Sequence, residues 1–140
     1  MQQEGVLKNH IEIFKALSDE TRLRTMRLLI SANKELCCCE FADSLEEPMY
    51  NISRHLKVLR NAGLVEGRKE GRWVYFSLPK KQSIFMKRLF ETIASIEGVK
   101  KMAADMNNLE KRFVIREGGK CLLGVQKKHL LKTKGEKQRC

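Results

Sequence analysis

The apolar residues of this chain change their spacing at Gly63, and this change restricts the folds that it can adopt. Before Gly63, apolar side chains recur every three to four residues, as on one face of a helix. After it, Leu64-Val65 and Trp73-Val74-Tyr75-Phe76 are rich in strand-forming residues. They flank the polar stretch 67–72, which begins with Gly67 and has Gly71 near its end. The pattern predicts a mainly α chain with a small β-hairpin that has a basic tip.

Four helices are predicted before the hairpin. Two cover Ile11 to Leu17 and Leu23 to Ile30, and Ser18-Asp19-Glu20 between them supplies a cap. A third begins near Leu36 and ends at Glu46-Glu47-Pro48, because proline cannot continue a helix. The fourth runs from about Met49 to Asn61. Two helices joined by a short turn and followed by a hairpin form a winged helix-turn-helix.

A long helical stripe follows the hairpin and is interrupted only by Gly98. Its apolar residues are Met86, Leu89, Phe90, Ile93, Ile96, Met102, Met106 and Leu109. A stripe of this length is more than one small domain can cover, so a second copy of the chain is expected to pack on it. The sequence therefore predicts a DNA-binding and dimerisation domain over residues 1–112. A basic, flexible tail is predicted over residues 113–140.

Positive charge is concentrated in two parts of the chain. The formal net charge is +11, and residues 48–82 contribute +6, with eight Lys or Arg against two Asp or Glu. Residues 111–140, which include the predicted tail, contribute a further +8. Localised basic charge favours a polyanionic partner, and double-stranded DNA fits a winged helix-turn-helix.

The fourth helix is predicted to read DNA in the major groove. At 100° per residue, an exposed polar face lies opposite Ile52, Leu56 and Leu59, and there is no acidic residue between Pro48 and Val65. The hairpin cations suit contacts with phosphate. The predicted DNA contacts are Tyr50, Asn51, Ser53, Arg54 and Lys57 on the helix and Arg68, Lys69 and Arg72 on the hairpin.

These segments together resemble the ArsR/SmtB repressors, with the arsenical-responsive branch the most similar. The resemblance covers about residues 11–80. The residues that carry it are Leu17-Ser18-Asp19-Glu20-Thr21-Arg22-Leu23-Arg24, Glu35-Leu36-Cys37-Cys38-Cys39-Glu40-Phe41, Ile52-Ser53-Arg54-His55-Leu56, Leu59-Arg60, Ala62-Gly63-Leu64-Val65 and Arg68-Lys69-Glu70-Gly71-Arg72-Trp73-Val74-Tyr75. It implies a homodimeric repressor that leaves its operator when a metal or metalloid binds. As(III) or Sb(III) is the implied inducer, and Cd(II) or Pb(II) is the alternative.

Two of three consecutive cysteines, Cys37 and Cys39, match the Cys-x-Cys pair of that family, and thiolates are the ligands that soft ions prefer. The third ligand is open, because Ala42 stands where well-known arsenical sensors have a cysteine. Cys121 is preferred, with Cys38 and Cys140 as alternatives. A zinc site of the family's His-containing type is excluded, since residues 56–128 contain no histidine.

The spacing also predicts how ion binding reaches the DNA. In an intact helix Cys38 points into the core, while Cys37 and Cys39 project about 200° apart. One ion could then hold both sulfurs only by unwinding the start of the third helix. This distortion is expected to tilt the recognition helix.

Other functions were weighed against this one. A thiol-redox or persulfide-sensing repressor of the same fold is the main alternative. An enzyme is not expected, because the Cys-x5-Arg loop of arsenate reductases is missing after every cysteine that could start it, and no Gly-rich loop indicates an organic cofactor. A module that binds only protein would leave the basic face unexplained. The chain has no apolar window that could span a membrane and no apolar core of a signal peptide near residue 1, so a cytoplasmic location is expected.

Overall fold

The structure is a computed structural model, and it describes residues 2–121 and 123–130. Within these residues, six α-helices and three strands form the winged helix-turn-helix that the sequence predicts. Their bounds are α1 Gln2–Leu17, α2 Glu20–Ala32, β1 Leu36–Cys37, α3 Cys38–Leu45, α4 Met49–Asn61, β2 Glu66–Glu70, β3 Trp73–Ser77, α5 Ile84–Ala94 and α6 Lys100–Val114, and a short 3-10 turn covers Lys128–Leu130.

The predicted joint between the first two helices is confirmed. Asp19 is the N-cap of α2, and its carboxylate accepts a hydrogen bond from the backbone N–H of Arg22 at 3.0 Å. A side-chain oxygen at this position satisfies one of the backbone donors that the first helical turn leaves unpaired. Asn33 ends α2 in the left-handed conformation, with φ of 51°.

The third helix begins later than the sequence predicts. Cys37 is extended, with φ of −91° and ψ of 163°, and α3 starts at Cys38. Cys37 belongs instead to β1, where it pairs with Tyr75 of β3. The prediction that Cys37 lies within the helix is therefore wrong, because β1 adds a third strand to the hairpin in the antiparallel order β1-β3-β2.

The hairpin, called the wing below, consists of β2 and β3 and has a shorter tip than predicted. Arg68 and Lys69 lie on β2, opposite Tyr75 and Val74 of β3. The chain reverses between Glu70 and Trp73, where Gly71 has φ of +60°. Arg72 alone of the three predicted cations stands in the turn.

The core lies between α2, α3, α4 and the sheet. The inward positions predicted for α4, Ile52, Leu56 and Leu59, are all buried. Each apolar side chain of this size contributes about 1.5–3 kcal/mol when it is fully buried. This packing fixes the opposite face of α4 towards solvent.

The predicted C-terminal stripe is divided between two helices, α5 and α6. Gly98, with φ of +75°, separates α5 from α6. α6 packs against α2 and α3 of its own domain and buries Asp105, Leu109 and Arg112. Exposed apolar side chains include Val6, Leu7, Ile11 and Phe14 on α1 and Ile84 at the start of α5. Three of the eight residues in the stripe predicted to form the dimer interface, Phe90, Ile93 and Leu109, are buried within the chain itself.

The segment after α6 packs on the domain. The predicted domain boundary at residue 112 falls inside α6, which ends at Val114. Cys121, Val125 and Leu130 are buried with the core. Residues 131–140, including Cys140, lie outside the described residues. In the part of the chain that the structure describes, no helix is both long and apolar enough to cross a membrane.

Candidate thiol site and nucleic-acid interface

Three sulfur atoms meet in the interior beside β1. The Sγ of Cys37 lies 2.7 Å from that of Cys39 and 2.6 Å from that of Cys121. Cys39 and Cys121 are 3.1 Å apart. All three cysteines are free and each is 1% exposed. These three residues, called the thiol site below, are the cluster of potential metal ligands found in the described residues.

Local backbone geometry brings the first two sulfurs together. Cys37 ends β1 and Cys39 lies in the first turn of α3, so their side chains converge at the strand-to-helix junction. The backbone N–H of Cys37 donates to the carboxylate of Glu40 at 3.1 Å, and Glu40 is held by Arg116 at 2.6 Å. The prediction that one ion must unwind the helix to reach both sulfurs is wrong, because Cys37 is already outside it.

A buried ion pair brings Cys121 to the other two sulfurs. Arg112 of α6 and Asp43 of α3 lie 3.2 Å apart and are both almost fully buried. Asp43 also accepts hydrogen bonds from the backbone N–H groups of Gln126 and Lys127. Arg112 donates to the carbonyl oxygens of Leu123 and Gly124 at 2.9 Å each. Residues 123–127 are thus tied to α3 and α6 by charge-assisted hydrogen bonds, which are stronger than neutral ones and hold Cys121 nearby.

The three sulfurs are not equivalent. Hydrogen bonds from the thiols of Cys37 and Cys39, together with the Arg112 guanidinium, lower the pKa of Cys121 to about 3. Burial raises the pKa of Cys37, and the hydrogen bond to Cys121 raises the pKa of Cys39. Nη2 of Arg112 lies 3.1 Å from the Cys121 sulfur. Cys121 is therefore the thiol of the three that ionises most readily, and the Arg112 guanidinium faces its sulfur.

The geometry suits a single soft ion with three sulfur ligands. Metal–thiolate bonds of about 2.3 Å place sulfurs about 3.3–4 Å apart around one ion. The three sulfurs are 2.6–3.1 Å apart in this structure. Binding one ion would therefore lengthen each sulfur–sulfur distance by less than about 1.5 Å. Small outward shifts of the side chains can thus admit an ion. Cys38 is buried in the core and is not part of this cluster.

The predicted DNA face of α4 is directed towards solvent. Tyr50, Arg54 and Lys57 are exposed, and Asn51 and Ser53 are half-buried at its edges. Arg54 donates to the side-chain oxygen of Asn51 at 3.0 Å. A groove of about 410 Å³ separates α4 from the wing and is lined by Ser53, Lys57, Arg60, Asn61, Val74 and Phe76.

The cations of the wing differ in their surroundings. Arg68 donates twice to Glu35, at 2.9 and 2.8 Å, and its guanidinium lies 5.1 Å from the centre of the Tyr75 ring. Arg72 lies 4.9 Å from the centre of the Trp73 ring, at the turn. Lys69 is exposed on β2. Arg68 is thus held at the base of the wing, whereas Arg72 and Lys69 lie nearer its tip.

Two residues that lie beside the thiol site, without being part of it, are not predicted from the sequence. Arg112 faces the sulfurs, and Tyr75 accepts a hydrogen bond from the backbone N–H of Cys121 at 2.9 Å. Arg112 could have been found, because Asp105, Leu109 and Arg112 share one face of a helix and charged residues on a buried face are rare unless they are paired. Nothing in the local pattern distinguishes Tyr75 from its strand neighbours.

Comparison with known proteins identifies the family. Residues 19–67 match the sequence profile described as "Bacterial regulatory protein, arsR family". An uncharacterized HTH-type transcriptional regulator of Methanocaldococcus jannaschii is 46% identical over 65 residues, which cover 46% of this chain and 72% of that protein. The chain belongs to the arsR family. The matching relative and the family profile describe transcriptional regulators with a helix-turn-helix, which agrees with the helices and the wing seen here.

Two further arsR-family matches bear on fold and function. The arsenical resistance operon repressor of Escherichia coli is 47% identical over 68 residues, 49% of this chain and 57% of the repressor. This chain thus spans little more than half the length of that relative. The solved structure of reduced HlyU from Vibrio cholerae has 30% identity and a TM-score of 0.54, over 66% of this chain and 92% of HlyU.

Proposed function

We propose that this protein is a repressor that binds operator DNA as a homodimer and releases it when As(III) or Sb(III) binds the thiol site. The observation that carries the proposal is the meeting of Cys37, Cys39 and Cys121 in one buried cluster. The arsenical repressor of E. coli supports this function by its similarity. Arsenous acid exchanges three hydroxyl groups for three sulfurs and releases three waters. Two of the protons come from thiols and one from solvent.

The charges around the sulfurs favour a trivalent ion. Among the described residues, the buried ionic groups beside the site are the carboxylates of Glu40 and Asp43 and the guanidinium groups of Arg112 and Arg116. Their charges cancel. Three thiolates with a trivalent ion are then neutral, whereas Cd(II) or Pb(II) leaves one uncompensated negative charge in the interior. Burying such a charge is costly, so we expect Cd(II) and Pb(II) to be weaker inducers.

The test is a fluorescence-anisotropy titration of operator DNA with arsenite. Wild type is expected to lose affinity, while Cys37→Ser, Cys39→Ser and Cys121→Ser bind DNA but no longer respond. Cys38→Ser is the matched control, because Cys38 lies outside the cluster, and it should respond like wild type. Release of DNA by all three variants at the wild-type arsenite concentration would contradict the proposal.

The DNA-binding part of the proposal assigns contacts to the exposed face of α4 and to the wing. Tyr50, Asn51 and Arg54 are exposed or half-buried on α4, Ser53 and Lys57 line the groove beside Val74, and the wing adds the positive charge of Arg68, Lys69 and Arg72. In a symmetric dimer the two α4 helices reach successive major grooves about 34 Å apart. The operator is therefore expected to be an imperfect palindrome.

The dimer is proposed to form through α1 and α5. Leu7 and Phe14 on α1 are more than half exposed, and Phe14 stacks edge-on against Phe85 of α5 with ring centres 6.0 Å apart. Exposed apolar side chains that continue from one helix to the next mark an interface. Sedimentation at micromolar concentration should give a dimer for wild type and a monomer for Leu7→Glu. A wild-type monomer would contradict this assignment.

A redox function of the same site is the second candidate. The Cys37 and Cys121 sulfurs are 2.6 Å apart, so a small inward shift would bring them to the length of a disulfide bond, about 2.05 Å. With Cys121 as the thiolate, hydrogen peroxide would take two electrons from this pair, one proton from the Cys37 thiol and one proton from solvent, forming one disulfide and two waters. Loss of two titratable thiols with release of DNA after peroxide, but no response to arsenite, would favour this function over the first.

A further inference from the structure

We propose that Tyr75 couples the thiol site to the wing, so that ion binding weakens DNA binding by moving the wing. This inference rests on the proposed function and concerns the regulation of the same site. It replaces the helix-unwinding route, which the extended conformation of Cys37 removes.

Tyr75 lies between a sulfur and a predicted DNA-contacting cation. It occupies the middle of β3, where its Cα partner on one side is Cys37 of β1 and on the other side is Arg68 of β2. The side chain is buried, at 3% exposure. Any displacement of β1 at Cys37 is thus passed to the wing through backbone pairing with this residue.

The hydroxyl group of Tyr75 holds the segment that carries the third sulfur. The backbone N–H of Cys121 donates to the Tyr75 Oη at 2.9 Å, and the same hydroxyl donates to the carbonyl oxygen of Cys121 at 3.5 Å. Tyr75 therefore contacts two of the three cysteines, one through backbone pairing and the other through its side chain. Outward movement of Cys121 from Cys37 must move Tyr75 or break these bonds.

The aromatic ring of Tyr75 helps to hold Arg68 of β2 in place. The guanidinium lies 5.1 Å from the ring centre, and Glu35, just before β1, accepts two hydrogen bonds from it. The carbonyl oxygen of Glu35 in turn accepts a hydrogen bond from Arg116 at 2.8 Å. Arg116 also donates a hydrogen bond to the carboxylate of Glu40. The contacts that fix Arg68 are thus made by the same segments that form the thiol site. Close-packed interiors transmit shifts of less than an ångström, because they do not deform continuously.

The test uses Tyr75→Phe, which removes one oxygen atom and keeps the ring. Wild type is expected to lose operator affinity by a factor within the usual range for allosteric coupling, about 5–150-fold, when arsenite binds. Tyr75→Phe should bind one arsenic per chain and bind DNA as wild type does without arsenite. Its loss of affinity with arsenite should be at least about fivefold smaller than that of wild type. Thr92→Val is the control, since the Thr92 hydroxyl donates within its own helix to Arg88.

A second readout reports the wing without DNA. Trp73 is the single tryptophan of the chain and lies on β3, two residues before Tyr75. Arsenite should change Trp73 fluorescence in wild type and in Thr92→Val, and should change it much less in Tyr75→Phe. A variant with altered folding but intact coupling would keep the wild-type change in emission.

The results of these experiments distinguish a failure of this inference from a failure of the proposed function on which it rests. If wild type binds no arsenic, measured as arsenic per chain after gel filtration, the proposed function fails and this inference fails with it. If wild type binds arsenic and releases DNA, but Tyr75→Phe does both to the same extent, only the role of Tyr75 is overturned. Unchanged Trp73 emission in arsenic-bound wild type would also overturn it.

Discussion

The α4 surface proposed to bind DNA and the thiol site are built in opposite ways. The α4 surface comes from one continuous helix, and Tyr50, Arg54 and Lys57 are exposed on it. The thiol site takes its residues from β1, α3 and the segment after α6, and its sulfurs are 1% exposed. Changes on the α4 surface should therefore alter DNA affinity with little effect on folding. Changes around the thiol site should alter folding and response together.

The largest effect on stability is expected from Asp43→Ala. This change leaves the buried Arg112 without its carboxylate and removes the acceptor for the backbone of Gln126 and Lys127. Breaking a buried pair in this way costs about 3–5 kcal/mol. The free energy of unfolding from urea titrations measures the loss.

An exposed ion pair between the same two parts of the chain provides a matched control. Glu46 at the end of α3 pairs with Lys127 at 2.7 Å, and the Glu46 side chain is 54% exposed. Glu46→Ala should cost no more than about 1 kcal/mol, because solvent screens an exposed pair. Equal losses for Asp43→Ala and Glu46→Ala would show that the buried pair does not anchor the segment.

Substitutions on the α4 surface should change sequence recognition. Replacing Tyr50, Asn51 or Arg54 by Ala is expected to cost about 1–3 kcal/mol at particular base pairs of the operator, because side chains in the major groove distinguish bases. Binding to operator and to random DNA, measured by anisotropy, separates the two contributions. Lys111→Ala on α6 is the control and should bind both DNAs as wild type does. A similar loss on operator and random DNA for the α4 variants would contradict their role in base recognition.

Wing cations should give a smaller effect that does not depend on sequence. Arg72→Ala and Lys69→Ala are each expected to weaken binding to all DNA and to reduce the slope of log Kd against log salt by about 1, as expected for one lost phosphate contact. Titrations at several salt concentrations measure the slope. A change confined to operator DNA would instead assign these residues to base contacts.

The sequence alone predicts the α4 surface better than the thiol site, and the physical reason is sequence separation. One helix repeats its faces at a fixed angle, so the buried Ile52, Leu56 and Leu59 determine where Arg54 and Lys57 point. The meeting of Cys121 with Cys37 depends on contacts between residues 84 positions apart. Cys121 was preferred because it lies near the folded part, but no periodicity reports the buried Asp43–Arg112 pair that places it.

The sequence analysis also failed at the boundary between strand and helix. Helical spacing continues back to Leu36, yet pairing with Tyr75 and Phe76 places Leu36 and Cys37 in β1. Such pairing is a tertiary interaction that local spacing does not encode. This difference of two residues matters, because it places the Cys37 sulfur beside that of Cys39 and makes unwinding of α3 unnecessary.

In the proposed function, Cys121 completes a three-sulfur site with Cys37 and Cys39. X-ray absorption at the arsenic edge counts the sulfur ligands directly on the protein with bound arsenite. We expect three sulfurs at about 2.3 Å in wild type and in Cys38→Ser, and two sulfurs with one oxygen in Cys121→Ser. Three sulfurs in Cys121→Ser, or two in wild type, would contradict this site.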